Sequence, residues 1–404
     1  MEIKIDRSKW RKVRLGDVAS EYSERINNPS ESGFDRFVGN SNIGQWDFRI
    51  KAWESTDSVS SAMKLFEPKD YLLVRRSLYA SDFRERAPRA DFSGVCSGDI
   101  LTIRENLEEI ADGFLIGVLN SPALWKFVVA NASGSITRRI KWRDLANYEF
   151  LLPPKAQQAK IAELLWAIDG VISKSSKVLQ DLDMVSFLKK SEFFINGNGH
   201  TETQAFTSFK VPKSWAIEKM SKVASVEYGI SKSVANNTDP DLGWQIITGA
   251  NIDLSGEFDL SKKRYIETPE KDRFMLKRGD LMFNWRSGSP AHIGKTAYFD
   301  LDGDYTYASF ILRIRCGKRL IDRYAFYLLN FLREVEFFTK NISKQINFKI
   351  NASIFREIEI PIPSIDEQNE MLNLMEAMYM QRTEISNNVA ESQRLKKSLI
   401  NHIF

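Results

Sequence analysis

Five arginines fall within fifteen residues, at Arg75, Arg76, Arg84, Arg86 and Arg89, with Tyr79 and Phe83 between them. A second basic group, Arg138, Arg139, Lys141 and Arg143, encloses Trp142. Guanidinium and ammonium groups bind phosphate, and a guanidinium fork also matches the acceptor edge of guanine. Aromatic rings between charges suit packing on sugar or base. The bland alternative is a solvated, salt-bridged surface with no ligand. Both groups adjoin strand-like runs, in loops beside small residues (Ser77, Gly134, Ser135) that permit close approach. The contact set for the first half is therefore Arg75, Arg76, Ser77, Tyr79, Arg84, Arg86, Arg138, Arg139 and Lys141.

The second half places amides among its cations: Asn284, Arg286 and Ser287, then Lys344, Gln345, Asn347 and Lys349. Asparagine and glutamine can pair with an adenine edge as arginine does with guanine. Two versions of one plan with different loop chemistry read as two readers of different short words, although drift in exposed loops would also produce divergence.

No reaction centre accompanies these groups. The stretch from Gly288 to Thr296 nearly spells a phosphate-binding loop, but five residues separate Gly288 from Gly294 where four are needed. Lys295-Thr296 is followed by the strand-like run Ala-Tyr-Phe-Asp and a turn, where a helix would be required. His200, His292 and His402 are scattered, with no cysteine or acidic cluster near them, which argues against a metal. No serine or cysteine lies in a nucleophile setting. The expectation is no catalytic residue and no metal site.

Two long helices must position these loops. Pro154–Ile195 carries Ile161, Leu165, Ile168, Leu179 and Leu182 at steps of three and four, and stops at Asn196-Gly197-Asn198-Gly199. Residues 364–404 carry Met371, Met375, Met378, Ile385 and Val389 in the same manner, behind a capping box at Ser364 and Glu367. Neither stripe can be hidden alone, so the helices are expected to pair. They also close two copies of one unit. Leu188-Lys-Lys-Ser recurs as Leu395-Lys-Lys-Ser, Asp70…Arg76-Ser77 as Asp280…Arg286-Ser287, and Ile136-x-x-Arg139-Ile140 as Ile346-x-x-Lys349-Ile350. Ile100–Arg104 and Pro153–Gln158 find counterparts at Ile311–Arg315 and Pro363–Gln368, and Trp10 is echoed by Trp215. Matches in one order at offsets near two hundred residues indicate a duplicated domain, too long for a solenoid repeat.

The fold class expected is α+β: two homologous mixed domains, 1–152 and 205–361, with spacer helices at 153–196 and 362–404 and a linker at 197–204. In the 404 residues the hydrophobic share is 43%, and the net charge is only +4, so positive charge must be concentrated on particular loops to serve nucleic acid. No apolar run is long enough for a membrane span, and two distant cysteines fit a reduced, cytoplasmic protein.

Trp10-Arg-Lys-Val-Arg-Leu15-Gly-Asp17, Leu151-Leu-Pro-Pro-Lys-Ala-Gln-Gln158, Ile360-Pro-Ile-Pro-Ser-Ile-Asp-Glu-Gln368 and the two isoleucine-flanked loops together resemble the specificity subunit of type I restriction–modification systems. The likeness covers essentially the whole chain and departs at Ala156-Gln157, where that family usually has an acidic residue before the glutamine. It implies that each domain recognises half of an asymmetric, two-part sequence in double-stranded DNA. It further implies docking of two modification subunits, which carry S-adenosylmethionine and methylate adenine. Restriction and translocase subunits, using ATP and magnesium, would add cleavage. By letters, Gln158 to Leu188 is 30 residues and Gln368 to Leu395 is 27, so the first helix is expected to be three residues longer. A self-sufficient enzyme would be active without partners, and a protein-linking scaffold would not retain DNA.

Overall fold

The computed structural model describes residues 6–77, 83–134, 137–197, 199–207, 209–267, 271–341 and 349–404. Tyr79, Ser135, Ile136, Lys344, Gln345, Ile346 and Asn347 lie outside the described residues. Two compact units divide the chain: Met1–Leu179 with Glu384–Phe404, and Gln180–Thr383. Each cut falls inside a long helix, so both helices contribute to both units.

In the first unit, strand Arg11–Arg14 pairs antiparallel with Glu149–Leu152, which ties the start of the domain to its end. A three-stranded sheet sets Ile100–Glu105 between Ala19–Glu21 and Tyr71–Val74. Tyr71–Val74 is buried at every position because both of its faces are covered. Tyr71 and Leu73 join one apolar cluster, and Leu72 and Val74 join the other. Strand Leu281–Asn284 in the second unit repeats this, with Leu281 and Phe283 on one side and Met282 on the other. The repeated Asp and Arg letters are structural. Arg104 clasps the buried Asp70 carboxylate at 2.7 and 2.9 Å, and Arg315 clasps Asp280 at 2.5 and 2.9 Å.

The first long helix runs unbroken over Lys155–Asn196, and the second runs Ile365–Ile403. Their lengths are 42 and 39 residues, the difference of three expected from the letters. Gly197 and Gly199 follow the first helix at φ +65° and +81°, the left-handed conformation that ends it. In the first unit, Ile161, Leu165, Ile168 and Ile172 share a core with Leu399, Ile400 and Ile403, and Asp169 meets Lys396 at 3.1 Å. Val389 packs against that core. In the second unit, Phe193 and Phe194 share a core with Met371, Leu372 and Met375, Met378 packs beside it, and Asp183 meets Arg382 at 2.7 Å. Residue number rises along one helix as it falls along its neighbour, so within each unit the pairing is antiparallel. Leu179, Leu182 and Ile385 are half-buried and belong to neither core.

Each helix is fixed to its domain by the same device. Gln158 is buried, accepts from the Ala111 amide at 2.8 Å and donates to the Pro153 carbonyl at 2.8 Å. Gln368 accepts from the Ile321 amide at 2.8 Å and donates to the Arg319 and Pro363 carbonyls, both at 3.0 Å. The residue before each glutamine accepts a tryptophan N–H: Gln157 from Trp10 at 3.1 Å, and Glu367 from Trp215 at 2.9 Å. Gln157 thus holds in the first copy the place and the bond that Glu367 holds in the second. Partial burial opposes the Glu367 charge, but hydrogen bonds from Trp215, Ser364 and His200 hold its carboxyl down at about 2. A carboxyl whose folded pKa is depressed stabilises the fold above its ordinary value and loses that contribution as pH falls through the folded one. Glu367→Gln is therefore expected to cost up to about 3 kcal/mol at pH 7, the gap to wild type closing between pH 4.5 and about 2. Urea unfolding at both ends of that window measures it, and a gap independent of pH would refute the assignment.

Candidate nucleic-acid interface

Strand pairing unites the two basic groups of the first domain. Ser77 faces Arg138 and Arg76 faces Arg139 in a short antiparallel ladder, which the Ile140 amide extends by donating to the Arg75 carbonyl at 3.0 Å. The turn before Arg138 needs Gly134 at φ +133°, since a Cβ there would come within 2.0 Å of the Thr137 carbonyl oxygen. In the second domain Arg286 bridges Lys349, and the Ile350 amide donates to the Trp285 carbonyl at 2.9 Å. The offset is 210 residues at each of these positions, so the two ladders are copies in one register.

The side chains divide by what they already hold. Arg75 donates to the Gly98 carbonyl at 2.8 Å and Arg138 to the Ala132 carbonyl at 3.0 Å, so both shape loops. Arg76 and Arg139 bracket one carboxylate, Asp99, at 2.7 and 3.1 Å. Arg84 and Lys141 are exposed. Arg86 is half-buried, and its carbonyl accepts from the Val74 amide at 3.1 Å. Ser77 and Asn284 are buried, Asn284 in the lining of the cleft beside the second ladder. The Asn284 side chain donates through Nδ2 to the His292 carbonyl at 2.8 Å and holds the loop from beneath.

A cleft of about 870 Å³ opens beside the second ladder, lined among others by Arg286, Ser287, Gly288, Lys295, Phe310 and Lys349. The Arg286 guanidinium lies over the Phe310 ring, 5.0 Å from its centroid. The Lys295 ammonium is buried beneath and donates to the Gly249 carbonyl at 2.7 Å and the Ile252 carbonyl at 2.5 Å. Burial lowers its pKa from the usual lysine value, opposed by nearby Asp253. Thr296–Tyr298 is a strand, so the residues that nearly spell a phosphate-binding loop form this cleft instead.

Three features escaped the sequence reading. Asp99 lies outside both arginine clusters and becomes their shared partner only through strand register. Phe310, its counterpart, carries no charge to attract notice. The turns Gly39-Asn-Ser-Asn42-Ile and Thr248-Gly-Ala-Asn251-Ile are a further repeated pair. In each, the side chain of the asparagine before the isoleucine accepts the amide three residues back, at 2.7 Å for Asn42 and 3.0 Å for Asn251. The Asn-Ile dipeptide at an offset of 209 was the available signal. The cysteines are not reactive groups: burial pushes the Cys96 thiol up to about 11 and that of Cys316 up to about 12.

Residues 230–396 match the family model described as the type I restriction modification DNA specificity domain. The type I restriction enzyme MjaVIII specificity subunit of Methanocaldococcus jannaschii is 21% identical over 324 residues, covering 76% of this chain and 71% of its own. A solved chain from work on complex assembly and conformational transition of the type I R-M system aligns at TM-score 0.58 and 19% identity, over 98% of this chain and 97% of that one. The type I restriction–modification S subunit of M. genitalium aligns at TM-score 0.58 and 10% identity, over 100% and 98% of the two chains.

Proposed function

We propose that this chain, a member of the type I restriction–modification DNA specificity family, reads a two-part target in double-stranded DNA, one part with each globular domain. It is a recognition subunit and not an enzyme. The observation that carries the two-part reading is the duplicated ladder, which brings Arg76 to Arg139 and Arg286 to Lys349 at one register in both copies. With Arg84 and Lys141 exposed in the first domain, cations of both kinds are available to phosphate and to base edges.

The long helices serve as spacer and docking surface. Two modification subunits would carry S-adenosylmethionine and the adenine pocket; restriction and translocase subunits would use ATP and magnesium in the cytoplasm. Leu164, Val171, Val178 and Val185 support the docking role. They recur every seven residues along the first helix, and between 44% and 52% of each is exposed. A heptad stripe left in water is a face for another helix. Val171→Lys with Val178→Lys is expected to abolish co-purification with a modification subunit while leaving DNA retention by the free chain intact. Size-exclusion chromatography of the mixture reads this, and unchanged assembly would count against the stripe.

The reading as a whole is tested by sequencing modified adenines in a host that carries this chain with its modification subunit. One asymmetric bipartite motif is expected. Arg76→Ala with Arg139→Ala should relax one part of it, at about 1–3 kcal/mol per lost base contact, and leave the other part unchanged. Substitutions in one domain that alter both parts equally would refute the division of labour.

A further inference from the structure

The two ladders are copies, but the residue that stands beside their cations is not. Val74 faces Ile100 in the first domain and Asn284 faces Ile311 in the second, so Asp99 and Phe310, each one residue earlier, occupy equivalent places. In the first domain that place holds the carboxylate bracketed by Arg76 and Arg139. In the second it holds a ring, half-exposed, against which Arg286 is stacked.

We infer that the cleft around Arg286, Lys295 and Lys349 is a phosphate site that takes a group of the DNA backbone, and that Asp99 closes the equivalent place in the first domain to phosphate. The inference rests on the DNA reading above and assigns different work to the two ladders.

Among the described residues, three cations and no aspartate or glutamate line the cleft. The smaller cleft with Arg49, Lys69 and Arg89 contains Asp91 and Asp112, and Arg89 is paired with Glu105 and Asp112. Lys295 is spent on two backbone carbonyls, which hold its ammonium without neutralising it. Phe310 supports the Arg286 guanidinium by its face and leaves the N–H edges free for an anion. Nothing lies within 4 Å of where a Cβ on Gly288 would stand, so the backbone there is open to close approach. A tetrahedral dianion or phosphodiester is the chemical class that such a set recognises.

The first ladder has the opposite character. A phosphate entering between Arg76 and Arg139 would have to displace a carboxylate already bonded to both. Asp99 instead orients the two guanidiniums and leaves their remaining N–H groups to a neutral acceptor, such as the O6/N7 edge of guanine. Asp99 is in this sense a positioning residue.

The test measures binding of the full chain to duplex DNA as a function of salt, for wild type, Phe310→Asp, Arg286→Gln with Lys349→Gln, and Asp99→Asn. The log–log slope changes by about 0.9 for each DNA phosphate that the protein neutralises. Phe310→Asp and the double variant should each flatten the slope by about that amount, and Asp99→Asn should steepen it by as much. Because Phe310 is half-exposed, its aspartate variant is expected to fold, and the double variant reports on the same site independently. A slope unchanged in both second-domain variants overturns the phosphate site, and one unchanged in Asp99→Asn overturns the closure. In a parallel arm, Lys349 acylation is followed by mass spectrometry with duplex or with inorganic phosphate. Protection by both, or by duplex alone, supports the site, and protection by neither overturns it. If wild type fails to bind duplex while inorganic phosphate still protects Lys349, the DNA source falls with the DNA reading and a site for free phosphate is what remains.

Discussion

Four residues inserted within Ser173–Lys177, matched by four beside Val389, are expected to move recognition to sites with the same two half-sequences and a longer gap between them. The insertion must be matched because the helices are paired. In the first unit Asp169 meets Lys396, and antiparallel counting from that pair sets Ser175 opposite Ala390. Four residues add about 6 Å of helix, the rise of at most two base pairs of duplex. They also turn the helix by about 40° beyond a whole turn, which the matching insertion shares between partners. Original sites should lose modification almost completely, since a specific site binds roughly 10³–10⁷-fold more tightly than other DNA. Sequencing of modified adenines decides the matter: a retained gap, or changed half-sequences, would refute the spacer role of the helices.

Lys396→Ala should strongly destabilise the first unit. The ammonium is buried; it donates to the Trp46 carbonyl at 2.9 Å and to Asp169 at 3.1 Å, and lies 4.1 Å from the centre of the Phe48 ring. Burial lowers its pKa from the usual value, opposed by Asp169. Removing one member of a buried pair leaves the other without compensation, at a cost of about 3–5 kcal/mol. Asp169 keeps Arg49 at 3.0 Å, so the lower end of that range is expected. For a unit of this size the melting temperature should fall by about 6–12 °C. Lys396→Met with Asp169→Asn should recover part of the loss, because no buried carboxylate is left without its ammonium and the Arg49 guanidinium that loses Asp169 is partly solvated. Calorimetry on the three proteins reads this, and a wild-type transition in Lys396→Ala would refute it.

Periodicity and repetition exposed the architecture because both are local. The two long helices, their capping box and their stops follow from residues within a few positions of one another, and Pro122 opens a helix at Pro122–Asn131 behind its cap Ser121. The site was harder because its decisive neighbours are distant in the chain. Asp99 lies 23 residues from Arg76 and 40 from Arg139, and only strand register brings it to both. Asn284 looked like a reader because amides in loops suit adenine, yet its backbone continues a strand buried on both faces. The repeated Leu-Lys-Lys-Ser shows the limit of letters. Its offset is 207 whereas the domains repeat at 210, and three residues turn a helix by about 60° short of a full circle. Lys396 is accordingly buried, whereas the same letter at Lys189 makes an exposed pair with Glu192 at 2.9 Å.

The first unit borrows its last piece from far along the chain. Phe404 packs edge-on against Phe114 at 5.3 Å, and Arg7 donates to the His402 carbonyl at 2.5 Å. During translation, therefore, the earlier-made domain waits unfinished while the later one is completed, and it can be sealed only after residues 384–404 have left the ribosome. A premature stop or frameshift before that point disables the reader encoded upstream of it.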